Sequence, residues 1–217
     1  MSHYFENDNN LVSNIKEFKI EFFDYLFTFC TDNGVFSKGE LDFGTYLLIK
    51  NVLKEDLFGN VLDLGCGYGP IGIILKKIKD IDVDMIDINK RAIHLTKMNA
   101  KKNNVNVDAF LSDGFENIDR EYDYIVSNPP IRVGKKVLYK MLIDAKNHLK
   151  KHGKMIIVVR KEQGALSLIK DMSVYYNVNT IDKDKGFLII SLKNDWLIFL
   201  FVLLIYVGDI LFLLICN

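Results

Sequence analysis

The stretch Val61-Leu62-Asp63-Leu64-Gly65-Cys66-Gly67-Tyr68-Gly69-Pro70-Ile71-Gly72 limits what this chain can fold into more than any other. Val61, Leu62 and Leu64 are apolar, the pattern of a strand covered on both faces. Glycines follow at 65, 67 and 69. Glycine accepts positive φ and lets a ligand come close to the backbone. Pro70 suits the first position of a helix, where a missing N–H costs nothing. Ile71, Ile74, Leu75 and Ile78 then recur at the spacing of a helix that covers a sheet.

Gly67-Tyr68-Gly69-Pro70-Ile71-Gly72 also fits the dinucleotide pattern G-x-G-x-x-G. In that pattern the helix N-terminus faces a pyrophosphate. Asp63, two residues before Gly65 and expected at the mouth of the turn, would repel such an anion. It suits a cation instead, such as the ammonium and sulfonium of S-adenosylmethionine. The pattern Asp-x-Gly-x-Gly-x-Gly resembles the cofactor loop of class I methyltransferases. A tight turn without a ligand is the alternative, and the entropy that three glycines lose on folding weighs against it.

The rest of the chain alternates strand and helix around this unit. Residues 1 to about 13 are polar and Asn-rich, a loose arm. Residues 15–22 and 25–31, with Phe23-Asp24 between them, predict a hairpin, either a flap or an edge element with a packing role. The segment 34–45 is rich in glycine and polar residues yet carries Phe36 and Phe43. It reads either as a cover for the site or as a connecting loop. A helix is expected over 45–53. Strands are expected at 81–88, 105–111, 122–127 and 154–160, with helices at 90–102, 135–151 and 162–172. Residues 174–180 and 186–192 predict a closing strand pair. The fold class is therefore α/β, a doubly wound and mostly parallel, Rossmann-like sheet, with an N-terminal β-hairpin and a closing antiparallel pair.

Such sheets bind ligands at the C-terminal ends of their strands. Asp87, with Ile88 beside it, ends the second strand where an acidic residue holds ribose hydroxyls; capping of the next helix is its other reading. Asp113 and Gly114 end the third strand, in position to border an adenine. The fourth strand runs into Asn128-Pro129-Pro130-Ile131. The double proline stops the strand and stiffens the backbone. The lone pair of an amino group on a base is delocalised into the ring. Two acceptors on its hydrogens, the Asn128 side-chain oxygen and the Pro129 carbonyl, could aim it at a methyl group. Positioning and preorganised dipoles then carry the rate, with no strong base.

Three segments together resemble one family: Cys66 to Gly72, Asn128-Pro129-Pro130-Ile131-Arg132-Val133-Gly134-Lys135, and Gly34-Val35-Phe36-Ser37 with Leu41-Asp42-Phe43-Gly44. It is the small-domain methyltransferases similar to the bacterial 16S ribosomal-RNA guanine-N2 methyltransferase, and the resemblance covers roughly residues 1–193. It implies S-adenosylmethionine as cofactor, held at Asp63, Gly65, Cys66, Gly67, Gly69, Asp87, Ile88, Asp113, Gly114 and Asn128. It implies chemistry at Asn128, Pro129, Pro130 and Ile131, and guanine N2 in small-subunit ribosomal RNA, free or in the 30S particle, as acceptor. Phe36 and Lys38 would line the substrate side. Arg132, Lys135 and Lys136 sit next to the site, where they either meet phosphates or form a solvated helix start. Ile131 stands where an aromatic often stacks on the base. An adenine amino group, a protein glutamine amide and a non-catalytic cofactor- or RNA-binding module are the competing readings.

Composition bounds these readings. Lys plus Arg and Asp plus Glu balance at 28 each, so any contact with RNA needs a local patch. Cys30, Cys66 and Cys216 are few, far apart and without metal-like spacing, which argues for a reducing compartment, the cytoplasm, and for no metal and no disulfide. Residues 1–194 read as the methyltransferase domain, with 1–35 as arm and hairpin, and 195–217 as a hydrophobic tail. Within the tail, 196–216 is nearly continuous apolar sequence, broken at Gly208 and Asp209 and long enough to span a bilayer. A membrane anchor, a reading-frame artefact or degraded extension, and a docked core or interface helix are the readings of it.

Overall fold

The computed structural model describes residues 11–37 and 39–195. Lys38, the N-terminal arm through residue 10 and the apolar run 196–216 lie outside the described residues. The elements in chain order are β1 (Lys16–Phe22), β2 (Tyr25–Thr31), α1 (Phe43–Val52), β3 (Asn60–Leu64), α2 (Pro70–Lys79), β4 (Asp82–Asp87) and α3 (Lys90–Lys102). There follow β5 (Asp108–Leu111), β6 (Tyr122–Ser127), α4 (Lys135–Asp144), β7 (Leu149–Arg160), α5 (Ala165–Met172), β8 (Asn177–Asp184) and β9 (Phe187–Lys193).

The main sheet has seven strands in the order β5-β4-β3-β6-β7-β9-β8. The pairs from β5 through β7 are parallel, and β9 runs antiparallel to both β7 and β8. This is the doubly wound, Rossmann-like sheet that the alternation of elements predicts. The strand order reverses between β3 and β6, so the crevice for a ligand opens at their C-terminal ends.

The central strands are apolar on both faces because each face has its own core. Val61, Tyr124, Val126, Ile156 and Val158 point to one side, with Leu48, Ile74, Leu95, Phe27 and Phe29. Leu62, Leu64, Ile125, Ile157 and Val159 point to the other, with Leu142, Leu168 and Met172. Each such side chain taken from water contributes about 1.5–3 kcal/mol.

The hairpin β1–β2 pairs from Lys16↔Thr31 to Phe22↔Tyr25. It is docked rather than loose. Phe27 and Phe29 are 1% and 0% exposed, and Phe29 meets the Tyr68 ring edge-on at 5.7 Å. Two amides, Asn99 on α3 and Asn103 at its C-cap, act as rungs along β2. Asn99 accepts from the Cys30 N–H at 2.7 Å and donates to its carbonyl at 2.9 Å. Asn103 accepts from the Thr28 N–H at 2.9 Å and donates to its carbonyl at 2.8 Å. The packing role is therefore the one the structure supports for the hairpin.

Several boundaries move. The helix expected over 135–151 ends at Asp144, passes through a 3-10 turn at Ala145–His148, and gives way to β7 at Leu149. Gly153 makes this possible, because a Cβ there would sit 2.9 Å from the Lys150 carbonyl and 3.0 Å from that of Tyr122. Residues 162–164 are a 3-10 turn and Gly164 ahead of α5. The strand expected at 105–111 is confined to Asp108–Leu111. The closing pair starts at Asn177, later than 174, and its outer strand β8 is mostly exposed. Its charged residues suit an edge that must not recruit another strand.

Candidate active site

At the end of β3 the chain turns on Gly65, Gly67 and Gly69, with φ of +75°, +58° and +93°. The turn is closed by its own backbone. Gly65 and Cys66 both donate to the Ile86 carbonyl at 2.9 Å, and Gly69 donates to that of Cys66 at 2.9 Å. Cys66 is therefore spent on shaping the loop. Its thiol lies inward at 3% exposure, beside Thr96, and burial with the carboxylates of Asp87 and Asp63 keeps it protonated. Open space lies in front of Gly65 and Gly67. A Cβ on Gly65 would meet nothing within 4 Å, and one on Gly67 only Val35 at 4.0 Å.

Asp63 is fully buried rather than standing at the mouth of the turn. Its Oδ2 accepts the Gly72 N–H at 2.9 Å. It thus caps α2, whose own N-cap, Gly69, has no side chain to offer. A pyrophosphate would have to compete with this carboxylate for the helix end, which removes the dinucleotide reading. The other oxygen, Oδ1, has no hydrogen-bond partner among the described residues. Burial pushes the carboxyl up to about 7, helped by the neighbouring Asp87 and opposed by the Gly72 N–H. A cation reaching this group would satisfy the orphaned oxygen and restore its charge.

Asp87 ends β4 with Oδ2 accepting from Gly67 at 2.9 Å and Oδ1 from Asn89 at 2.8 Å. Burial raises its pKa, and the N–H groups of Asn89, Gly67 and Ile88 pull the other way. The α3 cap is Asn89, which accepts from the Arg91 N–H. Asp87 is therefore not that cap, and its remaining lone pairs border the glycine loop. Ile88 is half-buried beside it. Asp113 is exposed after β5, and Gly114, at φ +52°, leaves open space where a Cβ would be.

The segment after β2 lies over this loop. The Gly34 carbonyl accepts from the Asn89 amide at 2.9 Å, and the Tyr68 hydroxyl donates to the Glu40 carbonyl at 3.4 Å. Val35 is buried and Phe36 is 43% exposed. A cover is what the geometry shows, with Lys38 outside the described residues.

Beside β3, strand β6 delivers Asn128. The Ser127 hydroxyl donates to the Leu64 carbonyl at 2.7 Å, which clasps the two strand ends where Gly65 and Asn128 begin. The Asn128 amide donates from Nδ2 to the Thr45 hydroxyl at 2.8 Å. Its Oδ1 makes no hydrogen bond among the described residues, and the Pro129 carbonyl accepts none from the backbone there. The Pro130 carbonyl does, from Val133 at 3.1 Å. Ile131 is half-buried against the second core. Lys135 is tied to Asp171 at 3.1 Å and sits 4.7 Å over the Tyr139 ring, yet stays 66% exposed. Arg132 lies in the same turn, between Ile131 and Val133.

Thr45 and Asp42 were not among the expected site residues. The sequence did carry a signal for them. Asp42 followed three residues later by Thr45 is the spacing of a helix N-cap, and Asp42 caps α1. Among the described residues no group of three or more His, Cys, Asp or Glu could hold a metal.

The methyltransferase small-domain family matches residues 26–191. An uncharacterised Bacillus subtilis protein, YbxB, is 41% identical over 197 residues, 88% of this chain and 98% of its own length. A ribosomal RNA small subunit methyltransferase C from Aliivibrio salmonicida is 34% identical over 190 residues, 85% of this chain and 55% of its own length. The chain thus spans about half the length of that relative. Among solved structures, a Thermus thermophilus 16S rRNA N2 G1207 methyltransferase in complex with AdoMet and guanosine has a TM-score of 0.71. It is 22% identical, over 82% of this chain and 50% of that one. With the buried carboxylate, the open glycine cradle and the Asn-Pro-Pro end of β6, these matches show that the chain belongs to the methyltransferase small-domain family and is an S-adenosylmethionine-dependent methyltransferase.

Proposed function

We propose that this methyltransferase modifies the exocyclic N2 amine of a guanine in small-subunit ribosomal RNA, in the cytoplasm. The observation that carries this reading is the end of β6. Asn128 Oδ1 and the Pro129 carbonyl have no partner among the described residues and stand next to the glycine loop. S-adenosylmethionine, when bound, supplies an electrophilic methyl group on a sulfonium. Asp63 and Asp87 would hold it, the first through its unpartnered oxygen and the second through hydroxyl contacts, with Gly65 and Gly67 giving the backbone close approach. Ile88, Asp113 and Gly114 would border the adenine side.

The two acceptors would take the two hydrogens of the amino group. They draw the lone pair out of the ring and fix the nitrogen in line with the methyl. The methylated nitrogen is acidic and releases its proton to water, so no side chain is needed as a base. Ile131 and Phe36 would sandwich the base, with Lys38 on the same substrate side, and Arg132 and Lys135 would contact phosphate. A guanine reaches such a site only unpaired or flipped. In this reading residues 1–194 are the catalytic unit. No helix among the described residues is long and apolar enough to cross a membrane.

Labelled S-adenosylmethionine, the full chain and 16S ribosomal RNA, free and in 30S particles, test the reading. Label recovered as N2-methylguanine, and lost with Asn128→Ala, supports it. Label on adenine N6 or on a glutamine amide keeps the chemistry and replaces the substrate. Cofactor binding without transfer to RNA or protein sinks it.

A further inference from the structure

An amide side chain is nearly symmetric in shape and opposite in polarity at its two ends. Turned one way, Asn128 offers an acceptor to the substrate amino group; turned the other, it offers two donors that repel it. We infer that Asp42 and Thr45 are positioning residues that hold the Asn128 amide with its oxygen towards the acceptor. The inference rests on the acceptor role proposed above for Asn128.

The argument is one of hydrogen-bond direction. The Asp42 carboxylate sits at the N-terminus of α1 and accepts the Thr45 N–H through Oδ1 at 3.1 Å. A carboxylate can only accept, and its negative charge suits the positive end of a helix. Its Oδ2 also takes the hydroxyl proton of Thr45. With that proton committed, Thr45 Oγ1 has only lone pairs left. The partner at 2.8 Å must therefore present a donor, which is Nδ2 of Asn128. A flipped Asn128 would set oxygen against oxygen unless the Thr45–Asp42 bond broke.

The relay is also rigid. Thr45 is β-branched, with few rotamers, and is 4% exposed. Gly44 lets α1 start tight against β9, since a Cβ there would come within 2.8 Å of the Phe187 ring. The chain of bonds spans 83 residues between Thr45 and Asn128 and closes across the top of the site.

Thr45→Val keeps the shape and removes the hydroxyl. Thr45→Ser restores it. Asp42→Asn is nearly isosteric but can donate, which lets the relay run backwards and the Asn128 amide turn over. Turnover on 16S ribosomal RNA is expected to fall about 10- to 100-fold in Thr45→Val and in Asp42→Asn, with cofactor affinity within about twofold of the parent. Thr45→Ser should recover to within about threefold. Side-chain amide NMR of the full chain gives a readout independent of substrate. The Asn128 resonance pair, identified by its loss in Asn128→Ala, should move towards the position of an unbonded amide in Thr45→Val and stay in Thr45→Ser. If Asn128→Ala loses activity while Thr45→Val keeps it, the relay is wrong and the acceptor role stands. If Asn128→Ala keeps activity, the acceptor role fails, and an unmoved Asn128 resonance in Thr45→Val removes the relay as well.

Discussion

On the cofactor side, three polar contacts that shape the loop join residues 9 to 29 positions apart: Asp63 with Gly72, Gly67 with Asp87, and Gly67 with Thr96. On the acceptor side, Asn128 is held by a hydroxyl 83 residues away, which is in turn held by the N-cap of its own helix, α1. The first half uses buried charge and backbone, the second a single half-buried amide and its orientation. Damage to the first should therefore show in cofactor binding and stability, and damage to the second in turnover.

The largest effect is expected from Asn128→Ala. Losing one preorganised dipole at a reacting centre costs about 100- to 1,000-fold in turnover. Calorimetric cofactor affinity should stay within about twofold, and a joint loss of both would blur the division between the halves.

Asp63 sharpens it from the other side. Burial pushes its carboxyl up to about 7, from 3.8 in a free chain. Binding of a cation beside it below that pH must expel a proton. Cofactor affinity should thus weaken about tenfold per pH unit below 7 and be flat above. Asp63→Asn should weaken binding at pH 8 and abolish the slope. The unliganded fold binds this proton more tightly than the unfolded chain does, so its stability declines as pH rises from about 4 to 7 and then levels off. Denaturant titrations of Asp63→Asn should lack that decline.

Two glycines only seven positions apart should separate binding from folding. Gly65→Ala places a methyl group in open space, at φ +75°. The conformational strain is about 1–2 kcal/mol, and the methyl fills the cradle, so cofactor affinity should fall by at least tenfold. Gly72→Ala would press on the Met85 side chain at 2.7 Å. Its cost of about 1–3 kcal/mol should appear in the melting temperature, with affinity affected less.

The smallest effect belongs to Lys135→Ala. Its bond to Asp171 is solvent-exposed, so stability should change by less than about 1 kcal/mol. If Lys135 meets phosphate, the salt slope of RNA binding should fall by about 1.

The same contrast decides what could be read from the sequence. The glycine turn, its flanking strand and helix, and Asp87 at the end of β4 follow from local patterns. The Asn-Pro-Pro end of β6 is local too. The relay from Asp42 is not, because a capping spacing at 42–45 says nothing about which strand end will lie beside it. Burial of Asp63 also escaped a reading in which it faces the ligand openly; the caps and cores that enclose it come from elsewhere in the chain. The end of α4 was misplaced because Lys150-Lys151-His152-Gly153-Lys154 has the composition of a helix end. It is drawn into β7 by pairing of Leu149 with Tyr122 and by the tight fit of Gly153.

Asn99 has a consequence for anyone watching this protein in solution. The same Nδ2 that donates to the Cys30 carbonyl also donates to that of Tyr68, inside the glycine turn, at 2.7 Å. One buried amide is thus a shared hinge pin between the hairpin and the cofactor loop. Loading the loop should slow hydrogen exchange at the Cys30 amide, a residue on the hairpin rather than in the loop. That amide offers a built-in gauge of occupancy, readable without a label, a substrate or turnover.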